Sequence, residues 1–245
     1  MTQGSTTTTT PHRSVREPAT ARPIARRKYD DRYGPGSAGL RMKPEEFDDI
    51  PASEFVRGNR YEVISGVFVV SPFPGPGERS LNDYLGYMLT QYFETPSKKP
   101  IVADTLPEQT IATTNRRRAD RAIWVGLGRK PDEQTDVPAI VIEFVSSRRR
   151  DALRDYEEKR EEYLTAGVKE YWIIDRFRRV MTVYKTKKTR KSSTTTYDIV
   201  TEGQSYETPL LPGFSLPLAR LLEKADQWRP RKQAEPNAPA GGTDG

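Results

Sequence analysis

Residues 138–175 read PAIVIEFVSSRRRDALRDYEEKREEYLTAGVKEYWIID. Residues 138–145 form an apolar run broken by one acid, Glu143. Such a run, apolar on both faces, predicts a central strand covered on two sides. Residues 151–166 predict a helix, with Asp151 at its N-terminal cap and Gly167 at its C-terminal cap, Val168 packing back. Residues 169–175 and 179–185 predict two further strands joined by a turn.

Working outward, residues 120–126 (DRAIWVG) predict a strand and 100–112 one or two short ones. Residues 79–93 predict a helix, since Leu81, Tyr84, Leu85, Met88, Leu89 and Tyr92 recur at three- and four-residue spacing. Residues 61–70 (YEVISGVFVV) are two short β runs divided by Ser65-Gly66, a hairpin signal, followed by a loop over 71–77. Lys43-Pro44-Glu45-Glu46-Phe47 starts a short helix. A last strand near 196–200 and an extended segment through Pro209 and Pro212 complete the unit. This order predicts an α/β fold, one mixed sheet flanked by helices. Residues 1–40 and 226–245 lack periodic apolar residues and read as disordered tails around a single domain over 41–225. Neither an internal repeat nor a separate recognition domain is visible.

Composition narrows the chemistry. The chain is 30% charged and 34% hydrophobic, with a mean hydropathy of −0.78. Cysteine is absent, which excludes disulfides, zinc–thiolate sites and cysteine nucleophiles. The one histidine, His12, sits in the N-terminal tail. Ser–His–Asp triads and histidine-ligated metal centres in the folded core are therefore excluded. Hydrolysis here must run on carboxylates, lysine and a hard metal. No apolar run approaches the ~20 residues of a membrane helix, and the N-terminus lacks a signal-peptide core, so the expected location is cytoplasmic. The net charge is +6. Residues 1–43 carry nine Lys/Arg against three Asp/Glu, which accounts for all of it.

The informative residues are charges where the pattern calls for apolar side chains. Glu143 interrupts a buried run, and an uncompensated carboxylate there would cost several kcal/mol or take up a proton. The alternative is a structural salt bridge or a strand-end position that reaches water. Asp120 opens the strand before it, and two carboxylates converging at strand ends suit a divalent cation with oxygen ligands. Lys159 shares a helix face with Ala152, Tyr156 and Tyr163, within about 60° on an ideal helix. It either snorkels outward or points its ammonium at the two acids. Glu62 is a further acid of the site, or simply the exposed face of the hairpin. Arg116, Arg117 and Arg118, and Arg148, Arg149 and Arg150, flank the acids and suit a phosphate backbone, or else a solvated face. Residues 176–191 add eight Lys/Arg and no acid.

The runs YEVISG, RRRAD, IVIEFVSS, EKREEYLTAGVKEYWIID and VYK together resemble the Uma-type restriction endonucleases of the PD-(D/E)XK superfamily, over roughly residues 45–215. The resemblance implies a restriction-endonuclease-like core and a divalent metal, Mg²⁺ or Mn²⁺. By it, Asp120 and Glu143 match the two acids, and Glu62 the early Tyr-Glu pair. No lysine stands two residues after Glu143. Lys159 holds the position to which that lysine has moved in some variants. Ala119 stands where the family usually has proline, and Ser147-Arg148 where it has Pro-Ser. The expected activity is metal-dependent hydrolysis of nucleic acid, with DNA as the partner and a homodimer able to cut both strands. The alternative is a non-catalytic nucleic-acid-binding or accessory protein that keeps the fold.

Overall fold

The computed structural model describes residues 32–95, 103–146, 149–188 and 193–228. In chain order these form α1 (Pro44–Asp48), β1 (Asn59–Ile64), β2 (Val67–Pro72), α2 (Pro76–Glu94), β3 (Ala103–Ala112), β4 (Arg116–Val125), β5 (Ile140–Phe144), α3 (Arg149–Ala166), β6 (Glu170–Asp175), β7 (Val180–Lys188), β8 (Ser193–Thr201), β9 (Ser205–Glu207), β10 (Ser215–Pro217) and α4 (Leu218–Asp226).

Eight strands make one sheet in the order β2-β1-β4-β5-β6-β7-β8, with β3 paired to β4. The β5–β6 pair is parallel, and the other pairs in this sheet are antiparallel. Parallel neighbours need a crossover, and α3 supplies it. The β1–β2 hairpin turns at Ser65 and Gly66, both at positive φ (51° and 73°). Two such residues make the primed turn whose twist matches the strands it joins.

Alternation along β5 divides the core. Ile140, Ile142 and Phe144 meet Leu81, Leu85 and Leu89 of α2 and Leu218, Leu221 and Leu222 of α4. Val141 points the other way, into a cluster with Ala119, Ala122, Trp124, Tyr163, Leu164 and Tyr171 under α3. Each fully buried Leu or Ile contributes about 1.5–3 kcal/mol relative to exposure. Glu143 shares the α3 face with Val141. Glu170, also buried, accepts hydrogen bonds from Trp172 Nε1 (2.9 Å), the Tyr206 hydroxyl (3.0 Å) and the Thr208 hydroxyl (2.7 Å), which ties β6 to β9.

Several boundaries differ from the sequence-based expectation. Strand β4 begins at Arg116, so the arginine triplet lies within the strand. Helix α3 begins at Arg149, which puts Asp151 inside its first turn rather than at the cap. Helix α2 begins at Pro76, and β3 is one strand of ten residues. Helix α4 was not anticipated, although Leu218, Leu221, Leu222 and Ala225 are buried at helical spacing. Part of the expected N-terminal tail is folded: Tyr33 packs on Phe55 and Phe68, and its N–H donates to the Glu54 carbonyl at 2.8 Å. The rest of that tail, residues 1–31, and most of the C-terminal one lie outside the described residues. No helix among the described residues is long and apolar enough to cross a membrane.

Candidate active site

The site is a fork in the sheet. One edge of β4 is paired to β3 along its length. Its other edge meets two strands in turn: β1 at Val63↔Arg116, and β5 at Arg121↔Ile142, Ala122↔Val141 and Ile123↔Ile140. Between Arg116 and Arg121 neither strand pairs with this edge. Buried backbone groups left without a ladder need other partners. Here polar side chains provide them. The Arg118 N–H donates to Glu62 Oε1 at 2.8 Å, and the Arg118 carbonyl accepts from Lys159 Nζ at 3.3 Å. The Phe144 N–H donates to Asp120 Oδ2 at 2.6 Å, and the Asp120 carbonyl accepts from Asn82 Nδ2 at 2.7 Å.

Asp120, Glu143 and Lys159 are all buried, at 4%, 3% and 6% exposure. Lys159 Nζ donates to Glu143 Oε1 at 3.0 Å and lies 3.9 Å from Glu62 Oε1. The Tyr163 hydroxyl donates to the same Glu143 oxygen at 3.1 Å. Burial pushes the Glu143 carboxyl up to about 8; Lys159 opposes the rise and the Asp120 charge adds to it. Burial beside Glu143 also holds the Tyr163 hydroxyl well above the usual tyrosine range.

Every acid proposed from sequence, and the lysine, thus reaches the fork. The arginines fare differently. Arg117 is 1% exposed and ion-paired to Glu158 and Glu162 of α3, so it offers no surface to a phosphate. Arg116 is held by Asp48 at 2.7 Å and Arg118 by Glu108 at 3.3 Å. All three lie in a strand that packs on both sides, where a charge must find an internal partner. Arg148 lies outside the described residues, as do the side chains of Arg149 and Arg150.

Three contributors went unrecognised in the sequence. Arg60 on β1 ion-pairs with Asp120 and with Glu108. Glu78, in the first turn of α2, has a carboxyl raised by burial and then by the Asp120 charge, with Arg176 opposing. Its Oε1 lies 3.5 Å from Arg176 Nη2. Asn82 accepts from Arg121 Nε at 2.6 Å, and Thr105 Oγ1 from Arg121 Nη1 at 3.1 Å. Burial pulls the Arg121 guanidinium down to about 10. Arg60 stands next to the Tyr61-Glu62 pair, but a charge on a hairpin strand is ordinary and gave no signal of its own.

Among the described residues, no group of three or more His, Cys, Asp or Glu side chains is arranged as a metal site. Two carboxyl groups, Asp120 and Glu143, brought together at the end of the β4–β5 ladder still fit Mg²⁺, which is commonly held by one or two carboxylates, waters and substrate phosphate.

The architecture matches that of a solved structure. A crystal structure from Anabaena variabilis, described as a putative nuclease belonging to DUF820, superimposes with a TM-score of 0.56 at 14% identity, covering 75% of this chain and 99% of that one. The profile of the family described as "Uma2: Putative restriction endonuclease" matches residues 44–219. This chain belongs to the Uma2 family. No curated protein matches it.

Proposed function

We propose that this chain is a divalent-metal-dependent endonuclease that hydrolyses phosphodiester bonds in DNA. The observation that carries the reading is the convergence of Asp120, Glu143 and Lys159 at an unpaired stretch of β4, with Lys159 at 3.0 Å from Glu143. Asp120 and Glu143 would hold the ion. Bound there, it would polarise a phosphate oxygen and lower the pKa of the attacking water.

The remaining work falls to the chain's own groups. Lys159 reaches the fork from the α3 side, and its ammonium would stabilise negative charge developing on the phosphate. Tyr163 fixes the Glu143 carboxylate by its hydroxyl, and Glu62 holds β4 in place through the Arg118 N–H. Burial of all three central residues strengthens these interactions by lowering the local dielectric. The nuclease domain is the unit expected over residues 41–225, extended at its start by Tyr33. Cutting both strands of a duplex calls for two copies.

The test is a panel of labelled DNA and RNA substrates incubated with Mg²⁺ or Mn²⁺, beside an Asp120→Asn, Glu143→Gln double variant. Metal-dependent DNA cleavage by the parent alone supports the reading. Equal behaviour of the two proteins on every substrate overturns it in favour of an accessory role.

A further inference from the structure

Arg60 has an unusual situation for a buried cation. Its Nε donates to Glu108 Oε2 at 2.6 Å, and its Nη2 contacts both Glu108 Oε1 and Asp120 Oδ1. The other Asp120 oxygen is taken by the Phe144 N–H. Asp120 is shielded from water at 6% exposure, and Arg60 and Glu108 are partly shielded at 16% and 25%. Glu108 lies opposite Asp120, between the pairs Pro107↔Arg121 and Gln109↔Ala119. It adopts a positive φ of 53°, rare for a residue with a side chain. The left-handed kink thus coincides with the acid that shares Arg60 with Asp120.

Both Asp120 oxygens are thus taken, and an ion that binds this carboxylate must replace one of their partners, of which Arg60 is the cation. Resting on the metal-dependent reading above, we infer that Arg60 is a resident counter-cation of Asp120 which an incoming divalent ion must displace, and that Glu108 retains the guanidinium once it is displaced. A buried carboxylate without a cation is strongly unfavourable, so the metal-free centre needs such an occupant. Arg suits the task because it stays charged and its fork can bind one carboxylate bidentately while releasing another. Apparent metal affinity is then the intrinsic affinity reduced by the fraction of molecules in which Asp120 is released.

The experiment is calorimetric titration of the full chain with Mn²⁺, without nucleic acid, for the parent, Arg60→Gln, Glu108→Gln and the Asp120→Asn, Glu143→Gln double variant. Arg60→Gln should bind Mn²⁺ roughly tenfold more tightly than the parent. Glu108→Gln should bind it several-fold more weakly, because the guanidinium is left with Asp120 as its carboxylate partner. Arg60→Lys keeps the charge but cannot bridge both acids, and it serves the same comparison if Arg60→Gln does not fold. Its affinity should lie above that of the parent. Unchanged or weaker Mn²⁺ binding by a folded Arg60 variant, with parent binding lost in the double variant, overturns this inference alone. Parent binding that is absent, or equal in the double variant, overturns the metal reading and the inference with it.

Discussion

Asp120 and Glu143 stand one step beyond Arg121↔Ile142, the last pair of the β4–β5 ladder. There the strands part, and the Asp120 carboxylate takes the N–H of Phe144, the neighbour of Glu143, at 2.6 Å. The two acids are held together by this bond from the Phe144 N–H to the Asp120 side chain, just past the end of the ladder. Their geometry is therefore set by the sheet rather than by a loop, and it is present before any ligand arrives.

The raised Glu143 pKa has a direct consequence for stability. The carboxyl titrates at 4.5 as a free group and at about 8 in the fold. Because the folded value is the higher one, its contribution is complete below pH 4.5 and is lost as pH rises to about 8. Metal-free protein should lose up to about 1.4 kcal/mol per pH unit across that window from this group. Glu143→Gln should remove that part of the slope and melt at higher temperature than the parent at pH 8.5. Thermal melts of both proteins from pH 5 to 9 check this, and parallel curves would show that the carboxyl does not titrate in that range.

Lys159→Met keeps the buried stem and removes the ammonium. It leaves Glu143 with Tyr163 and takes one donor from the Arg118 carbonyl. The fold should persist at a cost of about 1–3 kcal/mol, the penalty of unpaired buried acceptors. Cleavage should fall below detection. Circular dichroism with a cleavage assay reads both, and a variant that cuts like the parent removes Lys159 from the mechanism.

Tyr163→Phe deletes a single hydroxyl whose partner is Glu143 Oε1. The ring still packs against Tyr171, with centroids 5.3 Å apart. Stability should drop by about 1 kcal/mol. Glu143 should also titrate at a higher pH, since a donor to its charged form is gone. Infrared titration of the carboxyl band would detect the shift, and an unmoved midpoint would assign Tyr163 to packing alone.

Asn82→Ala strips an acceptor from the buried Arg121 guanidinium and a donor from the Asp120 carbonyl. A loss of about 2–4 kcal/mol is expected in urea unfolding, since two buried partners are orphaned together. Gly86→Ala should destabilise by about 1–3 kcal/mol through the same guanidinium. Its new Cβ would stand 2.6 Å from Arg121 Nη2. If either change is neutral, Arg121 has an alternative arrangement and does not brace the strand below Asp120.

Glu143 and Lys159 stand out in the sequence because each violates a local rule, whereas Asp120 gains meaning only beside Glu143. Glu143 broke an apolar run, and Lys159 sat on a helix face that packs inward. Arg60 and Glu78 broke no visible rule, since charges on a hairpin strand or in a helix first turn are ordinary. Their proximity to Asp120 is a product of how β1 and α2 meet β4, over separations of 60 and 42 residues, and no local pattern encodes that. The arginine triplet misled for a related reason. Three consecutive basic residues look like a surface patch, but alternation along β4 sends Arg117 to the acids of α3 while Arg116 and Arg118 go to Asp48 and Glu108. Helix α4 is short and follows a segment with Pro209 and Pro212, which reads as extended, so its four buried apolar residues give only a brief helical pattern.

The crossover through α3 also bears on synthesis at the ribosome. Strand β5 has to wait for β6 before its second edge is covered, and α3 cannot seat Lys159 until that pairing closes. A nascent chain that has emerged only as far as residue 150 holds both acids of the fork but not the ammonium. On the proposed reading, the set Asp120, Glu143 and Lys159 is therefore complete only once α3 has been made, and a product truncated before it would hold the two acids alone.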